Sequence, residues 1–250
     1  MSSDEDKLKE MPLTAHLSDL RKAIIISVGS VIICALICFA YNERLLKILI
    51  EPVKEVQFIF VSPAEAFVAS LQLAIWAGLI IALPVVLREI FWFVSPGLSI
   101  QEKKMSIPVV IFAYFLFIIG VIFAYYVLLP VGVKFLIAFA PLEIKPMLSI
   151  GRYISFCAIL ILGTGLIFET PLLLLFLSIF GIITGKLLRK QWRYAILISF
   201  IIGGLITPSV DVFTQSLMAG ALLLLYYISI LLVEFREWKK RELKKYPFKK

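Results

Sequence analysis

The sequence predicts an all-α polytopic membrane protein with six transmembrane helices, and three observations support this fold class. Of the 250 residues, 61% are hydrophobic and only 17% are charged, and the mean hydropathy is +1.01. Soluble domains are closer to half apolar and a quarter charged. The charged residues are clustered between long uncharged runs, and the clusters on one side of the predicted membrane hold most of the basic residues.

Six uncharged or nearly uncharged runs provide the predicted spans. A helix needs about 20 residues to cross the hydrocarbon core of a bilayer. The runs cover residues 23–42, 66–87, 105–133, 153–185, 194–210 and 212–233, and Glu169 alone interrupts the fourth. We therefore predict a single integral membrane domain, in which an N-terminal cytoplasmic segment (1–22) and a basic tail (234–250) flank a six-span bundle (23–233).

The distribution of basic residues predicts the orientation of the bundle. If the N-terminus is cytoplasmic, the segments on that side carry 19 of the 25 Lys and Arg residues and the opposite connections carry six. Basic residues accumulate on the cytoplasmic side of membrane proteins. Both termini are therefore predicted to be cytoplasmic, in the cytoplasmic (inner) membrane. The first ten residues are acidic and polar, unlike a cleaved signal peptide, so the first run is expected to remain as a helix.

The outer connection after the first span carries two recognisable patterns. In residues 43–50, Leu and Ile recur at helical spacing with Arg44 and Lys47 on the other face, which predicts a surface helix that ends before Pro52. In residues 62–65, Ser-Pro-Ala-Glu is a typical helix start, because the serine and glutamate side chains can bond to backbone amides of the first turn. The second membrane helix is therefore predicted to begin near Ser62.

The fifth span is predicted to be short. Pro208 disfavours a helical conformation at Thr207. A helix over 192–206 reaches about 22 Å at 1.5 Å per residue, against a hydrocarbon core of about 30 Å. The alternative is a helix that continues past Thr207. Prolines in the other spans predict kinked helices that together form a concave bundle; they are Pro84, Pro108, Pro130 and Pro171.

Glu169 is the most informative single residue. Sixteen uncharged residues separate it from Arg152 and another sixteen separate it from Lys186, which places it near the middle of the fourth span. An ionisable group at that depth is costly and is usually functional. The alternative is a carboxyl group that is simply hydrogen-bonded to a neighbouring helix. We favour the functional interpretation.

Several classes of function are disfavoured. The chain has one histidine and lacks a P-loop, a dinucleotide-binding fingerprint and a Cys-x-x-Cys pair, so we predict no enzymatic activity, no cofactor and no metal site. Eight basic residues in the last 15 favour contact with the lipid bilayer over nucleic acid. On these grounds alone a transporter coupled through Glu169 would rank first, ahead of a translocase receptor or a membrane scaffold.

Five motifs reverse that order, because together they resemble the TatC family of the twin-arginine protein translocase. They are residues 16–22 (HLSDLRK), 62–67 (SPAEAF), 93–98 (FVSPGL) with 102–104 (EKK), 168–171 (FETP) and 205–215 (LITPSVDVFTQ). They occur in the order of the family and extend over nearly the whole chain. One departure is Asp19, which stands where the family usually has the longer glutamate.

The resemblance implies both a function and a set of partners. The chain would be the core subunit that binds twin-arginine signal peptides of folded precursor proteins. It would mediate their proton-gradient-driven export together with small single-span proteins of the TatA and TatB type. The family also implies short fifth and sixth spans and leaves open a homo-oligomer within the complex.

The resemblance also assigns roles to residues of this chain. The residues that would bind the signal peptide are Glu102 and Asp19, together with Arg21, Phe93 and Pro96. Arginine retains its charge and binds carboxylates with two parallel hydrogen bonds, which suits this assignment. Glu169 is the intramembrane polar position. Partner docking falls within residues 194–215, on Tyr194, Ile198, Leu205, Thr207, Asp211 and Gln215.

Overall fold

The computed structural model describes residues 13–54, 56–94, 106–138, 147–207 and 211–245, and most of them are helical. The helices are α1 (Leu13–Ala40), α2 (Asn42–Ile50), α3 (Pro63–Val94), α4 (Ser106–Phe123), α5 (Leu129–Ala138), α6 (Ile150–Phe168), α7 (Thr170–Ile179), α8 (Gly185–Lys190), α9 (Trp192–Ile206) and α10 (Val212–Lys245). A 3₁₀ turn covers Glu51–Val53, a π-helical turn covers Ala124–Leu128, and two short strands are β1 (Gln57–Ile59) and β2 (Met147–Ser149).

The helices confirm a polytopic helical membrane protein. Five helical segments of the described chain are long and apolar enough to cross a membrane, and they are His16–Ala40, Pro63–Phe93, Pro108–Ala138, Ile150–Ile179 and Val212–Lys239. The third segment consists of α4, the π-helical turn and α5, and the fourth consists of α6, Glu169 and α7. Helix α9 is a sixth, shorter apolar helix, so each predicted span corresponds to a helical segment.

The described residues pack into two compact units. The first combines Met1–Leu45 with Ser70–Tyr114, and therefore contains α1 and most of α3. Here Gly78 lies directly against the backbone of Ala35, and a Cβ at Gly78 would be 2.6 Å from the Ala35 nitrogen. The Asn42 Nδ2 donates a hydrogen bond of 2.8 Å to Ser70 Oγ. Small residues allow membrane helices to approach this closely. Such close packing stabilises their association, because burial from lipid supplies little driving force of its own.

The second unit combines Leu46–Ala69 with Phe115–Lys250. Its third and fourth spans meet at two glycines. A Cβ at Gly165 would be 2.5 Å from the ring of Phe117, and a Cβ at Gly120 would be 2.9 Å from both Gly165 and Phe168. The two aromatic rings therefore occupy the space that larger side chains at the glycines would need. This contact packs α4 against α6, the helix that ends just before Glu169.

Short strands from two of the connections pair with each other in the second unit. Strands β1 and β2 pair in parallel, with Phe58 opposite Leu148. Glu65 joins the end of β2 to the start of α3. Its Oε1 accepts hydrogen bonds from Ser149 Oγ and from the Gly151 amide, and its Oε2 accepts one from the Val61 amide. The predicted helix start is confirmed, because α3 begins at Pro63 and the Glu65 amide donates to Ser62 Oγ at 3.2 Å.

The predicted surface helix is also confirmed. Helix α2 ends at Ile50 and is followed by the 3₁₀ turn that contains Pro52. Two tyrosines of the spans anchor its last turn. The Tyr125 hydroxyl donates to the Ile48 carbonyl at 2.6 Å, and the Tyr153 hydroxyl donates to the Leu49 carbonyl at 2.7 Å.

The prolines have different effects in different spans. Pro171 stands in the first turn of α7 and separates it from α6. The π-helical turn Ala124–Leu128 directly precedes Pro130, near the start of α5. Pro84 is accommodated inside the unbroken α3, whereas Pro108 lies in the first turn of α4, where its missing amide hydrogen is not needed.

The lengths of the last two spans differ from each other. Helix α9 has 15 residues, which at about 1.5 Å per residue is about 22 Å, so the predicted short fifth span is confirmed. The sixth span is part of α10, which has 34 residues. Its uncharged part ends at Val233, but Glu, Arg and Lys, which are good helix formers, extend the helix beyond it.

Candidate functional site

A cleft between α1 and α3 brings charged and aromatic side chains together. Its volume is about 340 Å³, and it is lined by Asp19, Lys22, Ala23 and Ile26 of α1 and by Arg88, Glu89, Trp92 and Phe93 of α3. Beside the cleft, the ring of His16 stacks on the ring of Phe93, with centroids 4.3 Å apart and an interplanar angle of 19°. The cleft thus combines two carboxylates and two basic side chains with flat aromatic surfaces. A carboxylate beside an aromatic ring can bind a planar cation.

Two of the five predicted signal-binding residues lie in this cleft. Asp19, which is half-buried, and Phe93 line it from opposite helices. Arg21 is exposed and does not line the cleft. Pro96 and Glu102 lie outside the described residues.

The sequence analysis missed Glu89, which lines the same cleft as Asp19. Its position was available from helical spacing. Glu89 lies four residues before Phe93, and residues four apart share a face of a helix. Listing the residues on the same helical face as the predicted residue Phe93 would have identified Glu89.

The helix that carries Glu169 is interrupted at that residue. Helix α6 ends at Phe168 and α7 begins at Thr170, so Glu169 is the hinge residue between them. Pro171 contributes no amide hydrogen to the junction, and the Thr170 hydroxyl instead bonds to the Ile167 carbonyl at 2.5 Å. Membrane helices tolerate such an interruption where neighbouring groups satisfy the freed backbone atoms.

Both carboxyl oxygens of Glu169 are buried without a hydrogen-bond partner. The alternative of a carboxyl group bonded to a neighbouring helix therefore finds no support in the part of the chain that the structure describes. A buried polar group without a partner is costly.

Helix α9 presents a broad exposed apolar face. Tyr194, Ile198 and Leu205 from the predicted docking set are 63%, 52% and 81% exposed. The opposite face is buried against the protein through Ala195, Ser199 and Gly203. A short helix with one packed face and one free apolar face offers a surface that a second membrane helix can cover.

The other three residues of the predicted docking set lie at the end of α9 and the start of α10. Thr207 is 1% exposed, and its hydroxyl bonds to the Gly203 carbonyl at 2.8 Å. Asp211 is 4% exposed and caps α10, because its Oδ1 accepts a hydrogen bond of 2.6 Å from the Thr214 amide. Gln215 joins the two helices through a bond of 2.9 Å from its Nε2 to the Phe200 carbonyl.

Comparison with known proteins decides the family. The family model described as Sec-independent protein translocase protein (TatC) matches residues 15–220. The chain belongs to the TatC family.

Relatives and solved structures agree with this assignment over most of the chain. The TatC protein of Aquifex aeolicus is 40% identical over 241 residues, which cover 94% of this chain and 100% of that protein. The TatC protein of Carboxydothermus hydrogenoformans is 38% identical over 229 residues, covering 91% and 94%. A crystal structure of the twin arginine translocase receptor TatC has a TM-score of 0.75 at 38% identity, covering 88% of this chain and 98% of that one. A second, in DDM, has a TM-score of 0.76 at 40% identity, covering 87% and 99%.

Membership of the TatC family establishes the general role of the chain. It is a multi-pass membrane protein and the core subunit of the Sec-independent, twin-arginine protein translocase. It is therefore a transport protein and not an enzyme, and it acts with other protein components of the translocase. The predicted family and the predicted general function are both confirmed.

Proposed function

We propose that this TatC-family subunit is the receptor for twin-arginine signal peptides of folded precursor proteins. The arginine pair would bind to the carboxylates of Asp19 and Glu102, with Arg21, Phe93 and Pro96 beside them. The observation that carries the proposal is the α1–α3 cleft, in which Asp19 lies with Phe93. The crystal structures similar to this chain are of twin arginine translocase receptors, which supports the same role.

The chemistry of the cleft suits an arginine side chain better than a lysine side chain. A guanidinium group is planar, binds a carboxylate with two parallel hydrogen bonds and stacks on aromatic rings. Asp19 supplies the carboxylate, and Trp92 and Phe93 supply the rings. An ammonium group would keep its charge but would lose the paired hydrogen bonds and the stacking.

The same proposal includes the orientation and the partners. Both termini would be cytoplasmic in the inner membrane, which the positions of 19 of the 25 basic residues support. The free face of α9 would receive a single-span protein of the TatA or TatB type, through Tyr194, Ile198 and Leu205. Thr207, Asp211 and Gln215 would act by holding the turn that positions this face. The proton gradient would drive transport after the cargo is bound.

Signal-peptide affinity measured for carboxylate variants tests the receptor role. A hydrogen bond to a charged group contributes about 1.5–3 kcal/mol, so losing one carboxylate should weaken binding roughly ten- to a hundredfold. Glu102→Ala should have the larger effect, because Asp19 is shorter and reaches its arginine less directly. The double variant should lose most of the affinity for a twin-arginine peptide.

The control for this experiment is Glu43→Ala, which removes an exposed carboxylate from the first turn of α2. It should bind the peptide like the parent protein. If the Asp19→Ala/Glu102→Ala double variant is folded and inserted and still binds with the parent's affinity, the arginines are bound elsewhere and the proposal is wrong.

A further inference from the structure

The connection between the fourth and fifth spans holds a cluster of basic side chains at the membrane surface. Helix α8 and the first turn of α9 carry Lys186, Arg189, Lys190 and Arg193, and all four residues are exposed. Arg189 has an acidic partner, because its Nη2 lies 2.6 Å from Glu234 Oε2. The other three form no salt bridge with any residue in the described ranges. Three uncompensated positive charges therefore remain on this connection.

Helix α8 is held rigidly on α10. The Gly185 amide donates to Glu237 Oε1 at 3.0 Å, and the Tyr226 hydroxyl donates to the Leu188 carbonyl at 2.7 Å. Gly185 lies so close that a Cβ there would be 2.5 Å from Glu234 Cγ. The basic side chains thus project from a preorganised support, so binding an anion costs little ordering of the backbone.

An apolar surface adjoins the positive charges. Trp192 is 54% exposed and Leu187 is 41% exposed. The guanidinium carbon of Arg193 lies 5.9 Å from the centre of a Trp192 ring. Exposed tryptophan beside basic residues is typical of the membrane–water interface, where the ring lies among headgroups and the cations meet phosphates.

We propose that Lys186, Lys190 and Arg193 form a binding site for the headgroup of an anionic phospholipid in the adjacent leaflet. The phosphodiester would lie between the three cations, and Trp192 and Leu187 would contact the glycerol and upper acyl region. A zwitterionic lipid is a poorer ligand, because its own ammonium group offsets the attraction. An acidic soluble protein would leave Trp192 and Leu187 without apolar partners. The site is separate from the proposed signal-peptide cleft and does not depend on it.

The test compares two variants that remove the same charge from different places. The site variant is Lys186→Gln/Lys190→Gln/Arg193→Gln. The matched control is Arg44→Gln/Lys47→Gln/Lys134→Gln, three exposed basic residues at the other ends of the spans. Phosphatidylglycerol and phosphatidylcholine serve as probes, and native mass spectrometry of the full chain in detergent gives the affinity of each lipid.

The parent protein should bind phosphatidylglycerol in preference to phosphatidylcholine. A basic residue near an anionic headgroup contributes about 1 kcal/mol, so the site variant should bind phosphatidylglycerol roughly ten- to a hundredfold more weakly, while the control stays near the parent. Equal losses in both variants would show a general charge effect and overturn the proposal, as would an unchanged affinity in the site variant.

Two additional variants keep the experiment decisive if the site variant does not fold. Lys190→Gln alone removes one exposed charge and should give a partial loss of affinity for phosphatidylglycerol. Lys186→Arg/Lys190→Arg/Arg193→Lys keeps all three charges and should keep the preference. If the charge-preserving variant loses the preference while remaining folded, the headgroup is not bound by these three charges.

Discussion

At the scale of single residues, the two most informative carboxyl groups have opposite surroundings. Asp19 is half-buried in a cleft that also contains Lys22 and Arg88. Glu169 lies at a helix junction inside an apolar span, and its oxygens have no hydrogen-bond partner among the described residues. The surroundings of Asp19 suit an exchangeable ligand that arrives from water. The surroundings of Glu169 suit a partner that is already within the membrane.

We expect Glu169→Ala to stop transport after cargo has bound, with little change in signal-peptide affinity. Glu169→Gln keeps the capacity for hydrogen bonds but cannot ionise. If hydrogen bonding to a partner is the role of Glu169, the Gln variant should transport and the Ala variant should not. Transport and peptide binding are measured on the same membranes. An Ala variant that transports like the parent would remove the functional interpretation of Glu169.

Sequence reasoning found the residues whose chemistry is unusual for their position, and it missed those that act through packing. Glu169 was identifiable because a charge inside a long apolar run is costly wherever the fold places it. Glu89 was missed because a carboxylate near the end of a membrane helix is ordinary until α1 is known to lie beside it. Thr207 and Asp211 are buried because of the way α9 and α10 pack together. The spacing of residues along the chain does not predict that packing.

At the scale of helices, α9 is distinguished by its length and by its unequal faces. It reaches only about 22 Å across a core of about 30 Å, and it packs on the protein through one face. Tilting does not lengthen a short helix, so the surrounding bilayer must thin or a neighbouring helix must cover the mismatch. The second effect is the one that the proposed docking of a single-span partner on this helix would use.

We expect cysteines at Ile198 and Leu205 to crosslink to a co-expressed single-span partner. Both positions are on the exposed face of α9. Cysteine at Ala195, which is 9% exposed on the packed face, is the control and should not crosslink. Crosslinks that appear only from other spans, with none from Ile198 or Leu205, would remove the docking assignment.

The contact between the third and fourth spans makes a separate prediction about stability. Gly165→Ala would place a Cβ 2.5 Å from the ring of Phe117. Overpacking of this kind typically costs about 1–3 kcal/mol, so the variant should unfold at a lower temperature than the parent. Gly220→Ala is the matched control, because nothing lies within 4 Å of a Cβ there. Equal thermal stability of Gly165→Ala and the parent would show that this contact is loose.

Most helices could be predicted from the sequence, and so could the surface helix and the helix start in the first connection, whereas the strand pairing between connections could not. Long uncharged runs must be helical in a bilayer because the backbone has no other hydrogen-bond partners there. The parallel pair of β1 and β2 joins segments about 90 residues apart in three-residue strands, which are too short to give a periodic signal. The continuation of α10 beyond Val233 could not be predicted from the uncharged run, because that run marks only the apolar part of the helix.

At the scale of the whole molecule, charge and hydrophobicity are arranged for transport across a membrane. Basic residues are concentrated on one side, where they would orient the chain and meet anionic lipid. The α1–α3 cleft lies at that same end of its spans by the order of the chain, and Glu169 lies midway along the fourth. In the proposed function, the cleft at the end of its two spans would bind cargo, and Glu169, midway along its own span, would act in later transport steps.

The most direct test of this account is the transport of a folded reporter into inverted membrane vesicles that contain this chain and TatA- and TatB-type partners. The account predicts that a reporter with a twin-arginine signal enters in its folded form when a proton gradient is present. The same reporter with a Lys-Lys signal should remain outside, because an ammonium group lacks the planar, two-point hydrogen bonding of arginine. Equal transport of the two reporters, or transport in vesicles that lack this chain, would contradict the account.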